Sequence, residues 1–397
     1  MTVDSPTMGG NIVPSSSEAA SSVSVLYLTS TLQHAGPTNQ LYNLVKYLDR
    51  QKFTPHLVTL SPEPLESRWP DFERLGVRLH SLGLSRFEGL FSARSRLMDY
   101  MRTINPGIIQ AQGIRADSLL ASITPGTPWL LVSHNYPYQD YTMKFGRIKG
   151  TAMALLHLAC MKRCRYVVSC SKTNAGSLQC HGIDAIPIQN GVDVLRYRPA
   201  DADAKLHLRR SLGFHPDASV FISVGSLIPR KDMRTLVEAF MRAETGSGTL
   251  LVVLGNGPEM AGLKALARHH PGVRFMGSIK DVDAYLKASD VFVSASLSEG
   301  LPNAVLEAMA CGLPCILSDI PSHRELFEAA EQHLFFPPSD AHSLEQLLRK
   351  SAAMDLTELG MQSRRIVERG FSDETMSGKY QKLYSEMIDG PCLKMVS

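Results

Sequence analysis

The sequence predicts an α/β protein folded into two doubly wound parallel sheets. Three observations predict it. Apolar, strand-like runs alternate with helix-like stretches along nearly all of the 397 residues. That length suits two or three domains, each able to bury a full core. Asn190-Gly191, a strong turn signal, divides the alternation into two arrays.

Residues 1–21 contain Ser, Gly and Pro without periodicity and are expected to form a disordered tail. The first domain is expected over 22–192. Its first strand, Val23-Ser24-Val25-Leu26-Tyr27-Leu28, runs through a loop containing Gly36-Pro37 into a helix with Leu41, Leu44, Val45 and Leu48 inward. Further strands are expected at 56–60, 77–80, 108–111, 129–133 and 167–171, with helices around 66–75, 89–104 and 115–122. His134 follows one of these strands, at the carboxyl edge where open α/β sheets collect ligands.

Residues 136–166 join three tyrosines and an apolar helix over 151–161 to Lys144, Arg147, Lys149, Lys162, Arg163 and Arg165. Such a helix either lies on an anionic bilayer surface or packs in the domain with snorkelling basic flanks; the second reading is preferred. His157, Cys160 and Cys164 share a helix face but lack the close Cys-x2-Cys pairs of a zinc site, so buried thiols are expected. Asp201-Ala202-Asp203 has the D-x-D pattern of a metal site. It follows Arg198-Pro199-Ala200 in a linker rather than an apolar strand, so no metal is assigned to it.

The second domain is expected over 193–370, with a helix from 371 that crosses back to the first and a tail to 397. Its strand Val220-Phe221-Ile222-Ser223-Val224 ends in Gly225-Ser226-Leu227-Ile228-Pro229-Arg230-Lys231, a basic turn suited to a diphosphate. Gly255-Asn256-Gly257 fails as a dinucleotide fingerprint because Met260 stands at the third glycine. Val273–Met276 is a strand ending at Gly277. A buried strand over 291–295 then leads into Ser298-Glu299-Gly300-Leu301-Pro302-Asn303-Ala304-Val305-Leu306-Glu307-Ala308-Met309-Ala310-Cys311-Gly312-Leu313-Pro314. Pro302 suits the first turn of a helix and Gly312-Leu313-Pro314 its end. Glu299 therefore sits on the loop at the strand's carboxyl end, and Glu307 lies more than a turn into the helix. Carboxylates before and behind a helix N-terminus suit a polyhydroxylated ligand bearing a phosphate.

Composition narrows the class. No apolar run nears the roughly 20 residues that span a bilayer. The N-terminus has no secretory pattern, and seven cysteines without framework spacing fit a reducing cytosol. Residues 1–200 carry 20 Lys and Arg against 13 Asp and Glu, whereas the remainder carries 21 against 25. The basic first half hints at an anionic partner such as a membrane surface. The excess is diffuse and lacks interleaved aromatics, so nucleic acid is excluded.

The pattern S-E-G-x-P-x4-E-A-M-A-x-G-x-P over 298–314 resembles the donor-site signature of the GT4 retaining glycosyltransferases. Ile186-Pro187-Ile188-Gln189-Asn190-Gly191-Val192-Asp193 is similar to that family's interdomain crossover, and Gly36-Pro37-Thr38-Asn39 to its bacterial polysaccharide-assembly members. The resemblance implies a GT-B fold: two Rossmann-like domains facing a cleft, the nucleotide held by the second. It implies that Glu307 binds the ribose and that Glu299 with the N–H groups around Gly300, Leu301 and Asn303 binds the sugar. Lys231 and Arg230 would meet the diphosphate, Gly36 would approach it, Gly277 would pack on the base and His134 would support the sugar. The family arginine position is Ser226 here, and Arg230 is expected to replace it. The implied activity is retaining, metal-independent and free of cofactors. It moves a sugar from a nucleotide-sugar donor to a glycan or lipid-linked saccharide acceptor, in the cytoplasm or at the inner membrane face. A sugar-nucleotide epimerase and a non-catalytic sugar-nucleotide-binding subunit are the alternatives.

Overall fold

The computed structural model describes residues 22–243, 248–268, 270–327, 334–352 and 354–390. The tail expected over 1–21 lies outside them. Seven strands form the first sheet: β1 Val23–Thr29, β2 Phe53–Thr59, β3 Arg78–Ser81, β4 Ile108–Gln112, β5 Trp129–Ser133, β6 Tyr166–Ser169 and β7 Ala185–Pro187. Six form the second: β8 Ser219–Val224, β9 Thr249–Leu254, β10 Val273–Gly277, β11 Val291–Ser294, β12 Cys315–Ser318 and β13 Leu334–Phe336. Every pairing is parallel, in the orders β3-β2-β1-β4-β5-β6-β7 and β10-β9-β8-β11-β12-β13. Strand order therefore reverses between β1 and β4 and again between β8 and β11. Each reversal leaves a crevice at the strands' carboxyl ends, the edge that binds ligands in doubly wound sheets.

The apolar runs explain these sheets. Strands β4, β11 and β12 are buried at every residue, as strands covered by helices on both faces must be. Three dispensable-looking motifs are spent on the scaffold. Asp201 caps the helix Ala202–Ser211, accepting a hydrogen bond from the Ala204 N–H at 2.8 Å, so the D-x-D carboxylate is a helix cap. His157 hydrogen-bonds the buried Asp117 at 2.7 Å and Tyr141 at 2.9 Å. Cys160, Cys164 and Cys170 are buried free thiols.

The chain leaves the first sheet through Ile188–Val192 and returns beside the same segment. The Val192 N–H donates to the Phe371 carbonyl at 2.9 Å, and the Asp373 N–H donates to the Val192 carbonyl at 3.0 Å. The helix Asp373–Asp389 then lays Met376, Tyr380, Leu383, Tyr384 and Met387 into the core of the first domain. Gly191 makes this crossing close: a Cβ there would lie 2.5 Å from the Asp373 Cα. Gln40 locks it, exchanging hydrogen bonds with both backbone groups of Gly191 at 2.9 and 3.0 Å.

Gly191→Ala is therefore expected to lift the last helix from the first domain at a cost of about 1–3 kcal/mol. Urea unfolding, with limited proteolysis after residue 371, checks this; an unchanged midpoint and cleavage pattern would refute the close crossing.

Candidate active site

The site lies at the β8/β11 crevice. After β8 the chain turns into a single 3-10 turn, Pro229–Lys231, that presents Arg230 and Lys231 side by side. After β11 it runs through Ser296–Pro302 into the helix Asn303–Ala310, with Pro302 capping rather than opening the helix. The two loops are tied by a hydrogen bond from the Leu297 N–H to the Arg230 carbonyl at 2.8 Å. Backbone stacking fixes the neighbouring turns: a Cβ on Gly257 would lie 2.3 Å from the Leu227 carbonyl oxygen. Gly277, at φ 72°, sits at the end of β10 and accepts from the Gly255 N–H at 2.7 Å.

Glu299 is the electrostatic centre. Its side chain is 7% exposed, and its carboxylate meets Arg230 at 2.9 Å, Lys231 in a short ion pair and the Ser296 hydroxyl at 2.7 Å. Burial alone would raise its pKa, but Lys231 and Arg230 outweigh burial and hold it near 2, so it stays ionised. Arg230 is thus turned toward Glu299 and the Ser298 carbonyl rather than projecting alone into the crevice. Its Nε has no partner. Lys231 keeps further donors as well, so both cations retain capacity for an anion.

The helix Asn303–Ala310 supplies the second carboxylate. Val305, Leu306, Ala308, Met309 and Ala310 face the core, leaving Asn303 and Glu307 one turn apart on the opposite face. Burial pushes Glu307 up to about 7, against a smaller opposing pull from Arg196 and Tyr197. The two glutamates of the motif are therefore in opposite states: one is permanently charged, and the other titrates near neutrality.

The first domain covers this site. Gly300 lies against the His134 backbone, where a Cβ would come within 1.9 Å of the carbonyl oxygen. Asn303 accepts from Asn190 at 2.8 Å and from Gln40 at 3.2 Å, and stands opposite Gly36. The His134 ring, at the end of β5, bonds Gln112 at 3.1 Å, and burial lowers its pKa to about 4. The ring is neutral at physiological pH. Leu301 is buried beside Gly300, and the N–H groups of Gly300, Leu301 and Asn303 have no backbone acceptor among the described residues. The cleft thus gathers Gly36, His134, Gly300, Leu301 and Asn303 in one place, with Glu299, Arg230 and Lys231 just behind Gly300.

Two models of known families match the chain. "Glycosyltransferase Family 4" covers residues 35–196, and "Glycosyl transferases group 1" covers 205–366. The chain belongs to the family 4 glycosyltransferases. Its fold is GT-B. It is 25% identical over 377 residues to the Escherichia coli O-antigen biosynthesis glycosyltransferase WclY, covering 92% of this chain and 98% of WclY. It is 31% identical over 209 residues to the E. coli UDP-Gal:α-D-GlcNAc-diphosphoundecaprenol α-1,3-galactosyltransferase, a match spanning 51% of this chain and only 54% of that protein. Among solved structures, sucrose-phosphate synthase of Thermosynechococcus elongatus superposes with a TM-score of 0.78 at 19% identity, covering 92% of this chain and 99% of that one. Anabaena HepE in complex with UDP gives 0.77 at 16%, covering 92% and 100%. The family 4 assignment carries glycosyltransferase activity and kinship with bacterial polysaccharide assembly.

Several contacts of this family 4 site escaped the sequence. Glu325, in the second domain, accepts the backbone N–H groups of Lys172 and Thr173, each at 2.7 Å, and the Gln189 amide at 2.8 Å. A carboxylate from one domain thereby caps the helix Lys172–Gln179 of the other. Beneath Glu299 lies a buried polar chain. Ser296 contacts Ser294 at 3.2 Å, Ser318 donates to the Ser296 carbonyl, and the His323 ring meets the Ser318 carbonyl at 2.8 Å. Glu325 stands where the family resemblance places a glutamate, but its partners were not readable; nothing local marks His323.

The folded pKa of Glu299 lies below its ordinary 4.5, so its pairing adds stability above that pH and loses it as pH falls toward about 2. The stability advantage of the wild type over Glu299→Gln is expected to be full at pH 6 and to shrink below about 4.5. Denaturant titrations across this range check it; a pH-independent difference would contradict the pairing.

Proposed function

We propose that the protein transfers a sugar from a uridine diphosphate sugar to a lipid-linked saccharide, retaining the anomeric configuration. The observation that carries the reading is the Glu299–Arg230–Lys231 cluster at the foot of the Asn303–Ala310 helix, facing His134 across the cleft. Glu307 accepts the two ribose hydroxyls, a task for an ionised carboxylate. The unpaired donors of Arg230 and Lys231 meet the diphosphate and neutralise charge as it departs, without a metal or other cofactor. Gly277 lies beside the base. The N–H groups of Gly300, Leu301 and Asn303, with Glu299, hold the sugar hydroxyls, and His134 supports the sugar from the opposite wall. The uridine base is favoured by the names of two similar proteins, one a UDP-galactose enzyme and the other solved with UDP. The galactosyltransferase also supports the lipid-linked acceptor.

Retention is the outcome that the family resemblance implies, and the state of Glu299 bears on how it would be reached. A double displacement needs a nucleophilic carboxylate on the far face of the sugar. A carboxylate held near pKa 2 by two cations is a poor nucleophile. Attack on the same face, with the leaving phosphate taking the acceptor's proton, agrees best with this arrangement.

UDP at about 100 times its dissociation constant should stabilise the wild type by roughly 2.7 kcal/mol, and Glu307→Ala should abolish the shift. The affinity ratio of wild type to Glu307→Gln should rise as pH passes upward through about 7, where the carboxylate forms. Thermal shift and calorimetry read both. Stabilisation by no nucleotide, or an undiminished shift in Glu307→Ala, would refute this donor site.

A further inference from the structure

The helix Arg147–Lys162 has two apolar faces where a domain helix needs one. Gly150, Ala154, His157, Leu158, Cys160 and Met161 turn inward and are buried. On the outer face Ile148 is 91% exposed, Leu155 56% and Leu156 55%. These three stand at i, i+7 and i+8, and with the exposed Ala152 and Ala159 they form one continuous stripe. The preferred reading of this helix as a packed domain helix thus accounts for its inner face only. A second exposed group, Phe87, Leu90 and Phe91, lies on the helix Arg86–Ile104; both helices pack against the helix Ile114–Ile123 between them. Scattered exposed apolar residues are ordinary, but a helical stripe of them is not.

Charge identifies what covers the stripe. Between Asp140 and Asp184 the chain has no acidic residue, while Lys144, Arg147, Lys149, Lys162 and Arg163 bracket the helix. Asp140 pairs with Lys144 at 2.8 Å; the other four have no carboxylate partner among the described residues. A second copy docked on this face would bring the two sets of cations together. An apolar stripe rimmed by cations matches the interface of an anionic bilayer, where side chains enter the acyl boundary and cations meet phosphates.

We propose that the outer face of the Arg147–Lys162 helix docks the protein on an anionic lipid surface. The placement serves the cleft. The helix follows Pro137–Phe145, which begins three residues after His134, so Phe145 and Ile148 stand close in the chain to the cleft wall. The surface itself stands on the stripe and its charges; only its link to a lipid-linked acceptor rests on the function proposed above.

The test is sedimentation of the full-length protein with vesicles of phosphatidylcholine, alone or mixed with phosphatidylglycerol. Binding is expected to the mixed vesicles only and to weaken with salt. Leu155→Gln/Leu156→Gln should reduce partitioning at least about tenfold. Arg147→Gln/Lys149→Gln should reduce it about fivefold per charge. All four positions are exposed, so both variants should keep the wild-type thermal midpoint and UDP response. No binding to anionic vesicles, or binding unchanged in both variants, overturns the proposal even where the UDP response stands. So does a wild-type dimer that Leu155→Gln/Leu156→Gln converts to a monomer without any vesicle binding.

Discussion

A glycine lying against a carbonyl sets the geometry of this protein. Gly300 meets the His134 backbone with no room for a side chain, and that contact fixes how near the two sheets' ligand edges stand. Polar contacts add to this seam: Asn303 with Gln40 and Asn190, and Glu325 with the start of the Lys172–Gln179 helix. Polar contacts of this kind hold a cleft closed without burying a large apolar area. They therefore allow it to open, as exchange of substrates requires.

Behind that seam, one carboxylate organises the chemistry. Glu299 draws Arg230 and Lys231 together, and the three would cost much to bury singly. The arrangement gathers two cations beside the crevice and lowers the carboxylate's basicity. Glu307, one turn into the adjoining helix, feels a weaker pull from Arg196 and Tyr197 that burial outweighs, and it titrates near neutrality. Two glutamates seven residues apart in between thus acquire opposite electrostatic characters from their surroundings alone.

Much of this was legible in the sequence, for identifiable reasons. Runs buried on both faces, such as those of β4 and β11, announce parallel strands, and their alternation with helices announces the sheets. The stretch around Glu299 and Glu307 is readable because a strand end, a glycine and a helix start occur within a few residues. Contacts set by the approach of the domains were not legible. Glu325 finds its partners more than 130 residues away, and nothing local says that Gln40 grips Gly191. The direction of Arg230 was also hidden. Its place beside Lys231 suggests a phosphate ligand, whereas its first partners are Glu299 and the Ser298 carbonyl. The Arg147–Lys162 helix shows the same limit: composition gave its basic flanks, but not which apolar residues face outward.

The most direct test of the close seam is small-angle scattering of Gly300→Ala beside the wild type, with transfer from a nucleotide sugar measured on the same samples. A methyl group between Gly300 and the His134 carbonyl should hold the domains apart. The radius of gyration should then rise and transfer should fall, while UDP binding to the second domain persists. An unchanged radius with undiminished transfer would contradict the account.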